Sequence, residues 1–345
     1  MADKVEEFKE QFPSLESYWR SIILFGRNVA TYKFALAQSL MELSDAGKTE
    51  VTLAELAVPY SKHLCDHVAK ATKQATSSSS KLLDACRGFN AGTVSYEELI
   101  HTTTVRGFDN VIDAFHVVNN SPIPIEFYKK DYKGRERKII LTDDIYKLKE
   151  IPFVENLTHE TESRWNLVET AWELGVSPHL MNVRYDDAAQ ILFVDTSFRR
   201  KDITSARGAL DGYQKGKCFY CFDDISVSYD ETNNCDVDHF FPHTLQPLMP
   251  DINLNGVWNL VLSCQACNRG ANGKFARVPA TKYLDRLHRR NEFLISSHHP
   301  LRETIMNQTG ATEQARKAFL QMVDRRAINA LIHRWDTPEV APATF

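Results

Sequence analysis

Apolar residues recur at three- and four-residue spacing through most of the N-terminal half, and polar clusters punctuate them. Trp19, Ile22, Ile23, Val29, Tyr32, Leu36, Leu40 and Leu43 predict a helical stretch that opens at Ser14 and ends near Gly47, with Gly26 kinking or splitting it. Thr52-Leu53-Ala54-Glu55 reads as a capping box for a helix running to about Gln74. Ser77 to Ser80 is a short loop. Ser95 to Glu98 is a second capping-box candidate, and Phe108 to Val118 predicts a further amphipathic helix. The pattern breaks at Asn119-Asn120-Ser121-Pro122. Ile125 to Tyr128 and Lys138 to Leu141 then predict a hairpin around Lys133-Gly134, and Thr142-Asp143-Asp144 caps a short helix.

Further on, Trp165, Val168, Ala171 and Trp172 share one side of a helix from Leu157 to Leu174, with Gly175 as its C′ residue. Met181 to Tyr185 and Ile191 to Val194 predict a second hairpin. Arg199-Arg200-Lys201 lies in the turn that follows, where it is either a phosphate contact or a solvated turn, and another helix runs to about Tyr213. The final helix, about Ala311 to Arg334, turns Ala318, Phe319, Met322, Val323, Ile328 and Leu331 inward. The expected organisation is a helical domain over 1–150, a helix and hairpin connection over 151–213, a compact domain over 214–292 and a helical extension over 293–345. The fold class is α+β and mainly α-helical.

Composition narrows the setting. No apolar run approaches membrane-spanning length, and the acidic first residues lack the apolar core of a signal peptide, so the expected location is the cytoplasm with no membrane partner. The net charge of −4 hides an asymmetry. Arg269 to Arg334 carries 13 Lys/Arg against 5 Asp/Glu, a surplus of +8, which leaves −12 for the rest. A basic C-terminal end suits phosphates, although a solvated basic helix face gives the same count.

Four of the 7 cysteines form two Cys-x-x-Cys pairs, Cys218/Cys221 and Cys264/Cys267; Cys65, Cys86 and Cys235 are scattered. An odd count with two such spacings argues against a disulfide framework and for a closed four-thiolate zinc site. A redox pair would need an adjoining βαβ unit, and none is visible. His63 and His67 stand one helical turn apart, a metal-binding spacing, but no third ligand follows, so a solvated or capping role is expected of them. The adjacent His298 and His299 have no partner carboxylate and are expected in a solvated turn.

Between and just after the cysteine pairs stand Asp238-His239-Phe240-Phe241-Pro242-His243, Asn259-Leu260-Val261-Leu262 and Cys264-Gln265-Ala266-Cys267-Asn268. Here the chain resembles the HNH endonuclease family over about sixty residues that include both cysteine pairs. The resemblance implies a C-terminal ββα-metal domain with structural zinc, preceded by the helical domain and its small hairpins. It implies His239 as general base, Asp238 and Asn268 as ligands of a catalytic Mg²⁺ or Mn²⁺, and Asn259 holding the loop so that His239 is aimed. His243 would bind the phosphate or join the metal site. Asn in the third position departs from His and favours hard cations. The family's usual lysine after that position is displaced, with Arg269 adjacent and Lys274 beyond, so Asn272 rivals Asn268 as ligand. Arg269, Lys274, Lys282, Arg286, Arg289 and Arg290 form the expected DNA-gripping set.

The reading that follows is a metal-dependent DNA endonuclease. One base and one catalytic metal cut one strand at a time, so a double-strand break calls for a homodimer or two encounters. Residues 1–150 carry no nucleotide-binding or helicase motif and are expected to dock a partner protein, a regulator or the DNA site. By analogy such a chain is an effector of prokaryotic restriction or anti-phage defence. The competing reading is a non-catalytic zinc-ribbon module that binds DNA or protein.

Overall fold

The structure, a computed structural model, describes residues 14–25, 30–77, 79–118, 121–134, 136–173, 183–195, 200–228, 234–297 and 301–345. It is a mixed α/β protein, mostly helical with small sheets. Contacts divide the chain into two compact units, Pro13–Leu174 and one built on Gly175–Phe345. The expectations placed on Gly26, Gly175, Met181, Arg199, His298 and His299 fall outside the described residues.

In the N-terminal unit the predicted long helix is two, α1 (Leu15–Phe25) and α2 (Tyr32–Asp45). Ser14 Oγ accepts the amide of Ser17, as its capping role requires. After β1 (Glu50–Thr52) comes α3 (Leu53–Lys70), where both halves of the Thr52/Glu55 capping box form. Ser80, read as loop, instead caps α4 (Lys81–Asn90), its hydroxyl accepting the Leu83 amide. Ser95 caps α5 (Tyr96–Arg106). The helix expected over Phe108 to Val118 shrinks to one turn, α6 (Val111–Ala114), followed by β2 (Val117–Val118) and β3 (Ser121–Pro122). Phe108, Val111, Ile112, Phe115 and Val118 are nevertheless buried, so the periodicity reflects burial and not helix length.

The first predicted hairpin forms three residues later than its N-terminal limb suggested, as β4 (Tyr128–Asp131) with β5 (Lys138–Leu141). Strand β1 pairs on the other edge of β5 and makes a three-stranded sheet, a partner that local pattern cannot announce. Helix α7 (Asp143–Lys149) leads to α8 (Glu155–Glu173). That last helix was expected in a connecting region. It belongs to this unit instead, because Trp165 lies against Phe34 and stacks on His67.

In the C-terminal unit, β6 (Arg184–Asp186) and β7 (Ile191–Asp195) form the second hairpin, and β8 (Arg200–Ser205) adds a third strand where a turn was expected. Helix α9 (Ala206–Gln214) ends at Lys215 and Gly216, both at positive φ, and this reversal enters the first cysteine pair. Strands β9 (Cys235–His239) and β10 (Leu260–Cys264) pair antiparallel, and α10 (Gln265–Arg269) follows without a break. Then come β11 (Val278–Pro279), α11 (Thr281–Ser296), α12 (Arg302–Thr309), α13 (Glu313–Leu331) and β12 (Arg334–Trp335). The last three helices contact one another, so the expected extension over 293–345 is part of the same unit. No helix among the described residues is long and apolar enough to cross a membrane.

Candidate metal centre and active site

The two cysteine pairs meet. The Sγ atoms of Cys218, Cys221, Cys264 and Cys267 all lie within 4.8 Å of one another. A tetrahedron with metal–sulfur bonds of about 2.3 Å has edges of roughly 3.8 Å. Cys221 and Cys264 stand at 3.8 Å. The group could hold a metal such as zinc. Local backbone explains the convergence: Phe219 N donates to Leu262 O and pins the first knuckle to β10, while Cys264 caps α10 with its sulfur toward the Cys267 amide. Burial pushes the Cys218 thiol well above its ordinary pKa, so metal must displace protons to bind.

Beside this group, strand alternation sends Asp236 and Asp238 to one face of β9 and His239 to the other. Asp238 is buried and has both oxygens engaged. Tyr220, from inside the first cysteine pair, donates to Oδ2 at 2.6 Å, and the Lys274 ammonium stands 3.1 Å from Oδ1. Lys274 is fully buried and also donates to the carbonyls of His239 (2.9 Å) and Phe275 (3.1 Å), so three oxygens cradle one cation. Burial raises the pKa of Asp238 although Lys274 and Tyr220 act against it. Gly273 makes the delivery of Lys274 feasible: a Cβ there would come within 2.8 Å of Gly270 N.

His239 is buried but differently supplied. Its Nε2 meets Asn255 Oδ1 at 2.9 Å, and its Nδ1 lies 3.9 Å from the exposed carboxylate of Asp187 in the β6–β7 turn. His243 stands 5.2 Å away, ring to ring. Burial lowers the His239 pKa, with Asp187 and Asp238 opposing, which favours the neutral imidazole. Asn259 is wholly buried. It accepts the Phe241 amide (2.8 Å) and donates to Phe241 O (2.8 Å) and Leu254 O (2.9 Å), so it closes the loop that follows His239.

The remaining expected residues divide. Asn268 does not reach Asp238; its Nδ2 donates to Asp236 Oδ2 at 3.1 Å, on the same strand face. Asn272 is exposed, and its backbone carbonyl accepts from Arg277 and Trp335. Of the six expected DNA-contacting cations, Lys274, Arg286 and Arg290 lie in the interior and differ from that reading. Arg286 donates to the carbonyls of Phe219 and Tyr220, and Arg290 to those of Val257, Trp258 and Leu260. Their neighbours Tyr283, Leu284, Leu287 and Leu294 are buried too, so the helical spacing marked an inward face. Arg269, Lys282 and Arg289 are exposed; Arg269 pairs with Asp236 and Lys282 with Asp336.

Four residues of this site escaped the sequence reading: Tyr220, Asp236, Asp187 and Asn255. Asp236 carried a signal, since it precedes Asp238 by the two-residue step that shares a strand face. Asp187 and Asn255 arrive by turns distant in sequence. No family model matches the chain, and neither the curated proteins nor the solved structures offer a match.

Proposed function

We propose that the C-terminal unit is a metal-dependent DNA endonuclease of the HNH type, with zinc held by Cys218, Cys221, Cys264 and Cys267. One observation carries the reading. Asp238 and His239 end a strand, Asn259 locks the loop after them, and the partner strand runs directly into the short helix bearing Asn268. The geometry suits hydrolysis of a phosphodiester. His239, neutral near pH 7 and fixed by Asn255, takes the proton of the attacking water. His243, exposed beside it, meets the phosphate. Asp238 and Asn268, with Asp236 behind them, offer hard oxygens to Mg²⁺ or Mn²⁺. A divalent ion bound there supplies positive charge to the scissile phosphate and the leaving oxygen. Asp238 already faces one cation, the buried Lys274 ammonium, which a divalent ion would displace from Oδ1. Arg269, Lys282 and Arg289 are the surface charges available to flanking phosphates.

By analogy of architecture the setting is prokaryotic restriction or anti-phage defence in the cytoplasm, with the N-terminal unit as the regulated part. Double-strand cleavage would take a homodimer or two encounters. A second reading, a non-catalytic zinc-bearing module, is favoured by two contacts: Lys274 and Tyr220 already satisfy the Asp238 carboxylate.

Supercoiled plasmid separates the two. Wild type should nick it with Mg²⁺ or Mn²⁺, stop on EDTA addition, and lose the activity in His239→Ala. Inertness of wild type with both metals, together with retarded migration of the plasmid, would favour the binding module.

A further inference from the structure

We propose that the N-terminal unit binds an organic phosphate of nucleotide size in the cavity where helices α2 and α4 begin. The cavity has a volume of about 790 Å³, and its lining among the described residues lies between Ile22 and Val117. Small-molecule sites run from roughly 300 to 1,000 Å³ and pair an apolar wall with a few convergent polar groups. This one has both.

The polar side is cationic. Lys33, Lys81 and Arg106 line the cavity against a single acid, Asp109. Lys81 and Arg106 are exposed and have no ion-pair partner among the described residues. Lys33 donates to the carbonyls of Ile22 and Ile23, at 3.3 and 3.4 Å. Burial, with Arg164 nearby, holds its pKa well below that of a surface lysine.

Two helices add to the field. Tyr32 and Lys33 open the 14-residue α2, and Lys81 and Leu82 open the 10-residue α4; all four line the cavity. Helix starts carry amides without intrahelical partners and a partial positive charge, and both favour phosphate. The Tyr32 hydroxyl bonds Ser80 Oγ at 2.6 Å and holds the two starts together. Arg106 offers a planar fork and Lys81 a point charge, a combination suited to a dianion with three acceptor oxygens. The lining also includes Ile22, Val111 and Phe115, an apolar surface that suits a ring system. Inorganic phosphate would leave it empty. The proposal does not depend on the nuclease reading.

The test is calorimetric titration of the full chain with the four ribonucleoside monophosphates, adenosine, inorganic phosphate and decanoate. At least one monophosphate should bind, and both adenosine and inorganic phosphate should bind at least about tenfold more weakly. Two variants locate the site. Lys81→Glu combined with Arg106→Glu reverses exposed charges, and Ala114→Trp fills the cavity from α6. Each should weaken the monophosphate at least about tenfold while the ligand-free melting temperature stays within a few degrees. The proposal fails if no monophosphate binds below about 1 mM. It also fails if decanoate binds more tightly than all four, or if the charge-reversed protein binds as wild type does.

Discussion

His67 and His239 are both buried, 3 % and 6 % exposed, yet their surroundings assign them opposite chemistry. On α3, His67 donates Nδ1–H to Glu169 at 2.7 Å and Nε2–H to Glu162 at 3.1 Å, and its ring lies on Trp165 at 3.5 Å. Burial alone would lower its pKa, but the two carboxylates outweigh burial and raise it. Gln74 extends the network, donating to Glu169 and accepting from Trp165 and Thr31. Neither ring nitrogen is left for a substrate. His239 meets one amide oxygen and a carboxylate 3.9 Å away, and burial prevails. A buried histidine is thus a cationic post where carboxylates close on both nitrogens, and a proton acceptor where one nitrogen keeps its lone pair.

The largest expected difference between the two regions concerns metal. The region around His239 rests on the four-cysteine group, whereas that around His67 rests on packing and ion pairs. Metal removal by a chelator, or Cys218→Ser, should therefore unfold the β9–β10 region and leave α3 and α8 protected. Structural zinc contributes on the order of 10 kcal/mol in small domains. Hydrogen exchange reads the outcome, with zinc content measured alongside; equal loss of protection in both regions would break the contrast.

Replacing the histidines sharpens it. His67→Ala removes the cation shared by two carboxylates, Glu169 in the interior among them, and should cost about 3–5 kcal/mol in chemical denaturation. His239→Ala strands no charge in contact with it and should cost no more than about 1–2 kcal/mol, while under the proposed nuclease function plasmid cleavage should fall by about 10² or more. A large stability loss at His239 with cleavage intact would reverse the assignment.

Lys274 offers a smaller test of the same site. Lys274→Ala removes the ammonium from buried Asp238, and loss of one partner of a buried pair costs several kcal/mol. If the oxygen cradle accepts a divalent ion, Mn²⁺ should raise the melting temperature of this variant by more than it raises that of wild type. Equal shifts would speak against a cation at Asp238.

What the sequence could and could not announce follows from range. The Thr52/Glu55 capping box and the two cysteine knuckles are made by residues three positions apart, so their geometry is local and readable. Asp238, His239 and Asn259 were legible as a motif, and the hairpin register brings them together. The partners that set their chemistry were not legible. Lys274, Asp187 and Asn255 are turn residues whose positions depend on closure of the whole unit. Arg286 and Arg290 misled for a physical reason. Helical period identifies a face, and a guanidinium on the apolar side can be satisfied by carbonyls of strand ends and knuckles. Similarly, Glu162 and Glu169 lie on a helix almost a hundred residues from His67, so the i, i+4 pair His63/His67 gave no hint of them.

The smallest effect expected is a pH slope, and its sign follows from His67. Its folded pKa is raised above the unfolded value near 6.5, so its contribution is complete below about pH 6.5 and is lost as pH rises through the folded value. Each unit of separation is worth about 1.4 kcal/mol. Other groups share the neighbourhood. Glu162 has its pKa lowered, held down by His67 and Lys70 against its burial, so its contribution is lost only on acidification. His63, one turn earlier and paired with Glu42, has its pKa lowered by burial and gives a slope of opposite sign. Subtracting the stability curve of His67→Gln from that of wild type between pH 6 and 9 isolates the one group. The difference should shrink steadily with rising pH. A difference that stays constant or grows would mean that His67 is neutral in the folded protein, and the contrast with His239 would disappear.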